Sequence, residues 1–595
     1  MISNSGFLGV LRAVGSGPTA PIEFGSLPLR TSHAGPLVGG AWGAPGHGAD
    51  WLHAGPLSLA CHGEIFNADD LRQQLGLAAE TPLQQVLLAG WRRWRERLFA
   101  RMDGLFALAV RDGDALVLYR DRSGLCGLYR YHDDHGVVAF ATDLDVLLRL
   151  PGTQRRLARR SLHEYLRFLE VTAPNTFFEY VTVVAAGQAQ RWPERDDAAM
   201  SGPDTDPDSP AATPASFADA VEMFDAHLRR GVRSRLADAR HPAAFLSGGV
   251  DSALLCTIAS RQRKDITAVT VGFEARDYDE SPAAQRIALH LGLSHEILRF
   301  GRADYLAALD RFSRGAEQPM ADPTSLATLL VSEHCRGRHD VVLDGTGADE
   351  VVGMMPPRHV RLAVRSAGLL PGGARRGLAR LMHAAPGLAG FAPILDFEHP
   401  ADTMIRWDGF KRHEIEAMCG EPVSFAHTHF YRTFDQYQQA DPFELYSALV
   451  DAMPGDRLNQ AMRICGVRMG FPFYERETER FLRGLPVDYR YAPREPKRIL
   501  RSLLARYVLP EIWDGPKRGF TFPLHDFLAG ENYQLVRRHL DEGQWLGAAP
   551  LPQVNVQRVA RQFMAGDRRL TFRIWALVVL AAWLEHHFDP NGPTR

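Results

Sequence analysis

No two cysteines of this 595-residue chain stand in a CxxC pair. The six present, Cys61, Cys126, Cys256, Cys335, Cys419 and Cys465, are scattered. Such scatter argues against a zinc site or a disulfide framework and suits a reducing compartment. An excess of one charge is missing as well. Lys and Arg number 68 against 70 Asp and Glu, a formal net of −2, so nothing global draws the chain to nucleic acid or acidic membranes. No apolar run reaches the roughly 20 residues that span a bilayer. Ile574–Leu584, near the C-terminus, is almost wholly apolar but short, and reads as a buried terminal helix. MISNSGFLGV carries no basic region followed by an apolar one, so no signal peptide is read. The expectation is a cytoplasmic protein with neither nucleic-acid nor membrane partners. An internal repeat is absent, and so is GxxxxGK followed by Ser or Thr, the common kinase-type phosphate loop.

What the chain does have is length enough for two or three domains. Up to about Trp192, short apolar runs are broken by Gly, Asp and Asn. SLACHGEIF, LFALAVRD, ALVLYRDR and GVVAFATD read as strands joined by tight turns in a layered β structure. Residues 193–216 are rich in Pro, Asp, Ser and Ala, cannot bury enough apolar surface to offset the entropy of ordering, and read as a linker. From residue 217 to 595 the pattern changes. Phe217–Leu236 has helical spacing, HPAAFLSG ends a buried strand, and a helix runs over Ala253–Gln262. DITAVTVGF and DVVLDG are further strands, with helical Pro282–Leu291 between them. Strands alternating with helices predict an α/β unit with a parallel sheet covered on both faces, and the chain turns mostly helical after Val351.

The most informative string is Leu246-Ser247-Gly248-Gly249-Val250-Asp251-Ser252. A buried strand enters a Gly-Gly turn flanked by hydroxyls and a helix starts at once. The glycines let backbone approach a ligand, and the first helical turn offers N–H groups to an anion. A strand-turn-helix without any ligand is the plain alternative. At the end of the third strand, Asp344-Gly345-Thr346-Gly347-Ala348-Asp349-Glu350 forms a tight acidic turn. Alone, such a turn is an N-cap. At the carboxyl edge of a parallel strand it is placed for a ligand, and Asp349 with Asp251 could share Mg2+ beside phosphates.

SGGVDS resembles the loop of enzymes that cleave ATP to AMP and pyrophosphate. Together with AVTVGF and LDGTGADE it is similar to the asparagine synthetase family, and the likeness covers nearly the whole chain. LACHGEIFNADDLRQQL, RMDGLFALAV, YRDRSGLCGLYR and FATDLDVL resemble the family's N-terminal part. GVRMGFPFYERETERFL, PKRILRSLL and WDGPKRGFTFP resemble its closing region. The resemblance implies an N-terminal class II glutamine amidotransferase-like αββα domain (residues 1–192). Residues 217–595 would form an ATP pyrophosphatase domain of the adenine nucleotide alpha hydrolase-like type, with a helical C-terminal part. It also implies ATP with its adenine near Val271 and Phe273 and its phosphates on Ser247 to Ser252. Lys517 would lie near the adenylate as a catalytic cation. Lys497 is a lesser candidate that reads as a helix-start residue, and Arg463, Arg468 and Asp456 fall where the family walls its ATP site.

Family members that hydrolyse glutamine use an exposed N-terminal cysteine, whose α-amine assists as base. Here Ile2 follows Met1, and His62 stands where such relatives carry Asn before Gly63-Glu64. Neither Cys61 nor Cys126 has a free amine, so a domain making no ammonia is expected. Two ammonia-independent branches fit, β-lactam or carbapenam synthetases and lasso peptide cyclases. Thr346 replaces the Glu of asparagine synthetases and the Tyr of β-lactam synthetases. GMMPPRH and the stretch from Val351 to Leu395, with Arg358, Arg361, Arg365, Arg375, Arg376, Arg380 and no acid, look more like the cyclases. That arginine set either borders a cleft or is a solvated helix face. The resemblance implies adenylation of a peptide's Asp or Glu side chain and closure on its N-terminal amine. Its partners would be a core peptide, a leader-peptide-binding protein and a leader peptidase. Glu317, Asp322 and Glu350 are candidate bases. A small-molecule amide synthetase is the alternative reading.

Overall fold

A computed structural model describes residues 5–11, 30–34, 37–42, 49–134, 138–150, 152–193, 213–385, 392, 394–405, 409–452, 457–515, 522–542, 549 and 551–588. Met1, Ile2, Asp456, Lys517 and most of the expected linker therefore lie outside the described residues.

The first eleven strands make two antiparallel sheets. They are β1 Gly6–Leu11, β2 Arg30–Ala34, β3 Leu37–Trp42, β4 Leu52–Ala54, β5 Leu57–Ile65, β6 Gly104–Asp112, β7 Ala115–Arg120, β8 Tyr129–His132, β9 Val138–Ala141, β10 Val181–Val183 and β11 Ala189–Trp192. One sheet runs β10-β8-β9-β1-β3-β2, the other β11-β7-β6-β5-β4. Period-2 alternation gives each strand two faces. Phe7, Leu37 and Phe140 of the first sheet meet Ala60, Ala107, Leu116 and Leu118 of the second. Leu59, Cys61 and Leu108 turn outward, onto the helices Ala68–Leu75 and Leu83–Trp94. The outer face of the first sheet, with Tyr129, Tyr131 and Ala139, packs against the helices Arg159–Phe168 and Thr571–His587. Helix, sheet, sheet, helix is the layering the resemblance implies.

Beyond it lies a third sheet of β12 Pro242–Phe245, β13 Thr267–Gly272, β14 Ser294–Arg299, β15 Val341–Leu343 and β16 Met469–Gly470. Its order is β14-β13-β12-β15-β16, and every pairing is parallel. Both faces are covered: Ala243, Val269 and Val342 enter one core, while Ala244, Ala268 and Val341 enter another. A sheet buried on two sides needs apolar residues at successive positions, which is why these strands read as short apolar runs. The apolar C-terminal stretch is a buried helix, as its length requires. Trp583 donates from Nε1 to the Ala316 carbonyl at 2.9 Å. Among the described residues no helix is long and apolar enough to cross a membrane.

Charged side chains clamp the N-terminal sheets to the third. The guanidinium of buried Arg463 lies 3.2 Å from Asp143, 3.1 Å from Asp145 and 3.3 Å from Glu317. Glu317 also accepts from Tyr129 Oη at 2.6 Å and the Leu144 amide at 2.8 Å. Arg235 pairs with Asp103 at 2.9 Å, and Arg122 with Glu479 at 3.1 Å. Arg468 Nε donates to Glu64 at 2.9 Å, at the amino end of β16. This corrects two expectations. Arg463 and Arg468 serve the seam between the sheets, because buried carboxylates there need their charge, and neither guanidinium is given over to the ATP site. Glu317 is likewise occupied as part of the seam.

Removing the cation from a buried network leaves uncompensated carboxylates, a loss of roughly 3–5 kcal/mol. Arg463→Met is therefore expected to lower unfolding stability by about that amount in urea titration. His587 supplies a pH test. Desolvation pushes its imidazole down to about 4, opposed by Asp145. Between the unfolded value near 6.5 and about 4 the unfolded chain binds the extra proton, so stability falls as pH falls through that window. His587→Gln is expected to flatten the acid limb of a melting-temperature profile.

Candidate active site at the reversal of the sheet

Strand order reverses between β12 and β15, so the connections after these two strands diverge and leave a crevice at their carboxyl ends. Both predicted loops sit there. After β12 the chain passes through Leu246, whose amide donates to the Val269 carbonyl at 2.9 Å, and turns at Ser247-Gly248-Gly249. The turn is tied within itself. Ser247 N donates to Ser252 Oγ at 3.0 Å, the two hydroxyls lie 2.9 Å apart, and Gly249 N donates to Ser247 Oγ at 3.1 Å. A side chain at Gly248 would bring its Cβ within 2.9 Å of Ala283 Cβ, so the close pass of the next helix requires glycine. The helix Val250–Gln262 begins its own bonding at Ala253 N, 3.1 Å from the Gly249 carbonyl. The N–H groups of Val250, Asp251 and Ser252 thus have no acceptor inside the helix, the usual basis of an anion site at a helix start.

The second loop backs onto the first. Asp344 N donates to the Gly470 carbonyl at 3.0 Å and its carboxylate accepts from Thr346 N at 2.7 Å. A Cβ on Gly345 would stand 3.3 Å from Ser252 N. Gly347 has φ +98°, in the left-handed region that favours glycine, and starts the short helix Ala348–Val352 that carries Asp349 and Glu350.

The two aspartates meet through a residue that sequence reading placed at a helix start. Lys497 does precede the helix Arg498–Ala505, but its Nζ lies 2.6 Å from Asp251 and 2.5 Å from Asp349. Its backbone is left-handed, φ 59° and ψ 41°. For a non-glycine residue that costs about 1–2 kcal/mol, offset here by two charge-assisted contacts. Burial would lower the ammonium's pKa, but Asp251 and Asp349 raise it, so Lys497 is charged. The only signal in the sequence was a lysine after a turn, shared by many helix starts.

The ammonium also tests the expected metal. Two carboxylates that already converge on one cation are a hard-oxygen donor pair of the kind that holds Mg2+ next to phosphates. Asp251 and Asp349 therefore fit the group. Glu350, beside Asp349, is raised to about 7 by burial and by Asp349. Asp322 is turned elsewhere, accepting from Thr324 N at 2.7 Å and Thr324 Oγ1 at 2.6 Å. Of the candidate bases, Glu350 is the one held beside the aspartate pair.

β13 continues past its last pairing with β12, Val269 opposite Phe245, so Thr270 to Gly272 flank the glycine turn. Val271 and Phe273 are buried, with 8% and 7% exposure. Phe273 meets Phe522 edge-on at 6.3 Å. That contact places Phe522 beside the carboxyl edge of β13.

An open parallel sheet with a glycine turn and paired aspartates at its reversal defines a nucleotide-binding α/β protein. Comparison with known proteins then narrows the class. The family model for asparagine synthase matches residues 223–585, and that for the glutamine amidotransferase domain matches residues 48–201. The chain belongs to the asparagine synthase family. It is similar to asparagine synthetase (glutamine-hydrolyzing) 1 of Bacillus subtilis strain 168, 23% identical over 88% of this chain and 84% of that one. A Mycobacterium tuberculosis H37Rv protein, provisionally named asparagine synthetase (glutamine-hydrolyzing), is 25% identical over 90% of this chain and 85% of its own. Family members are ATP-dependent ligases that form amide carbon–nitrogen bonds, and this chain is one of them.

Lys497→Met strips the cation from between two carboxylates. An expected loss of about 3 kcal/mol in unfolding stability follows, with partial recovery in millimolar MgCl2. A stability unaffected by Mg2+ would show that the pair does not hold the ion.

Proposed function

We propose that the chain is an ATP-dependent peptide cyclase of the lasso type that makes no ammonia of its own. The observation that supports this reading is a glycine turn and a paired-aspartate cluster at the sheet's reversal, joined to N-terminal sheets whose described cysteines are held as thiols. Burial pushes the Cys61 thiol up to about 12. It pushes Cys126 well above its ordinary value, with Asp121 adding to the shift. Neither supplies thiolate at neutral pH. His62, where glutamine-using relatives carry Asn, is pushed down to about 4 by desolvation and stays neutral. Glu64, in the same segment, is taken up by Arg468. The curated relatives are named as glutamine-hydrolyzing, and this reading departs from that name on these residues.

With no ammonia, the amine comes from the substrate. A peptide Asp or Glu carboxylate attacks the α-phosphorus of ATP and pyrophosphate leaves. The peptide's N-terminal amine then attacks the acyl-adenylate, AMP leaves and a macrolactam remains. The Ser247–Ser252 turn holds phosphate, and Asp251 with Asp349 would hold Mg2+, which offsets charge on the departing pyrophosphate. Glu350, with a carboxyl poised near 7, takes the proton the amine gives up. Lys517 is retained from the resemblance as the cation near the adenylate. Thr346 has no acid-base chemistry near neutrality, in keeping with an amine positioned by the substrate's own fold. Holding that amine against the acyl group supplies effective molarity. On this reading the peptide arrives through a leader-peptide-binding protein and a leader peptidase.

The test mixes purified protein, ATP and candidate core peptides, and follows loss of one water by mass spectrometry together with pyrophosphate release. Asp251→Ala and Asp349→Ala are each expected to slow both by about 100-fold or more, and Asp251→Asn and Asp349→Asn, which keep the shape of the side chain, to do the same in protein shown to be folded by its circular dichroism. Amide formation driven by glutamine hydrolysis would overturn the proposal. Turnover confined to free amino acids would instead make the chain a small-molecule amide synthetase.

A further inference from the structure

The near-zero net charge conceals one segregated region. From Val351 to Leu395 there are six arginines and no Asp, Glu or Lys. Elsewhere arginines are heavily paired, as Arg463 and Arg483 are. None of these six ion-pairs with a carboxylate among the described residues. One of them, Arg375, is buried with its guanidinium 3.9 Å over the Phe397 ring. Arg358, Arg365 and Arg380 are exposed to solvent.

The same region gathers apolar surface. Of ten exposed large apolar side chains among the described residues, six fall between Met354 and Leu381. Leu362 and Leu369 are 51% and 85% exposed, seven positions apart along one face. Val364 and Ala367, on the opposite face of the helix Arg358–Gly368, are buried against Phe397. Leu369 and Leu370 form the junction with the helix Gly372–Ala384, where Leu381 is 69% exposed. The junction is ordered: Leu370 N donates to the Ala367 carbonyl at 3.0 Å and Arg375 N to the Pro371 carbonyl at 3.1 Å.

We infer that this two-helix segment docks the protein peripherally on an anionic lipid surface. Exposed leucines alternating with arginines that meet no carboxylate among the described residues match what an interfacial helix needs, an apolar side entering the acyl boundary and long cationic stems reaching phosphate. The shape favours lipid over protein. Leu369, the most exposed large apolar side chain, sits at a corner between helices, which a soft interface accepts and a folded partner must match with a pocket. The charge favours it too. An anionic headgroup layer attracts each Lys or Arg held near its surface, and this stretch carries six arginines and no acid to oppose that attraction. This inference stands apart from the proposed reaction.

Full-length protein is mixed with vesicles of phosphatidylcholine alone, or of phosphatidylcholine with phosphatidylglycerol, and spun. Several-fold more protein is expected to sediment with the anionic vesicles, and high salt is expected to release it. Leu369→Ser with Leu381→Ser, and separately Arg358→Glu with Arg365→Glu, should each reduce binding several-fold while leaving the melting temperature and pyrophosphate release unchanged. Equal recovery with both vesicle types, or none with either, overturns the inference. So does a dimer in sedimentation velocity that Leu369→Ser dissociates, since the face would then belong to a second copy of the chain.

Discussion

Asp251 rides on a helix that follows β12, Asp349 on a helix that follows β15, and Lys497 on the entry to a third helix far along the chain. Bringing two carboxylates together is costly unless a positive charge lies between them, and the Lys497 ammonium supplies it. Much of the local architecture follows from keeping that triangle closed. The left-handed turn at Lys497, the glycine at position 347 and the contact of Gly345 with the first turn of the β12 helix all bring backbone close enough for the three groups to meet.

The surrounding fold explains why the triangle lies where phosphate chemistry is expected. In an open parallel sheet only the reversal of strand order leaves a crevice, and both chemical loops come from the strands on either side of it. The glycine turn presents backbone amides, the aspartates present hard oxygen, and Glu350 a carboxyl near neutrality. The turn and Asp251 come from the connection after β12, Asp349 and Glu350 from the connection after β15, so the site exists only when these two neighbouring strands are paired.

Much of this was legible in sequence because the relevant signals are local. A buried strand, a glycine turn and an immediate helix announce themselves at β12, and the αββα layers follow from alternating strands and the family likeness. What was not legible is long-range. β14 is an edge strand of half-exposed, polar residues, so it lacks an apolar run. β16 has two residues. Strand β3 contains paired glycines, which mimic a turn. Lys497 lies 246 positions from Asp251, and nothing near it in sequence distinguishes an internal counter-ion from a solvated lysine. Arg463 and Arg468 misled for the same reason: Asp143, Asp145 and Glu64, on which they close, lie more than 300 residues away.

The seam of buried charges has a bearing on how such a protein changes over generations. Asp143, Asp145, Asp103 and Glu64 belong to the N-terminal layers, while their counter-ions belong to the rest of the chain. Deleting those layers would strand four arginine and carboxylate partners in a newly opened surface. The N-terminal layers are therefore held to the rest of the chain by their neighbours' electrostatics, independently of any chemistry they carry. Substitutions at the surface of those layers are tolerated long before their removal is.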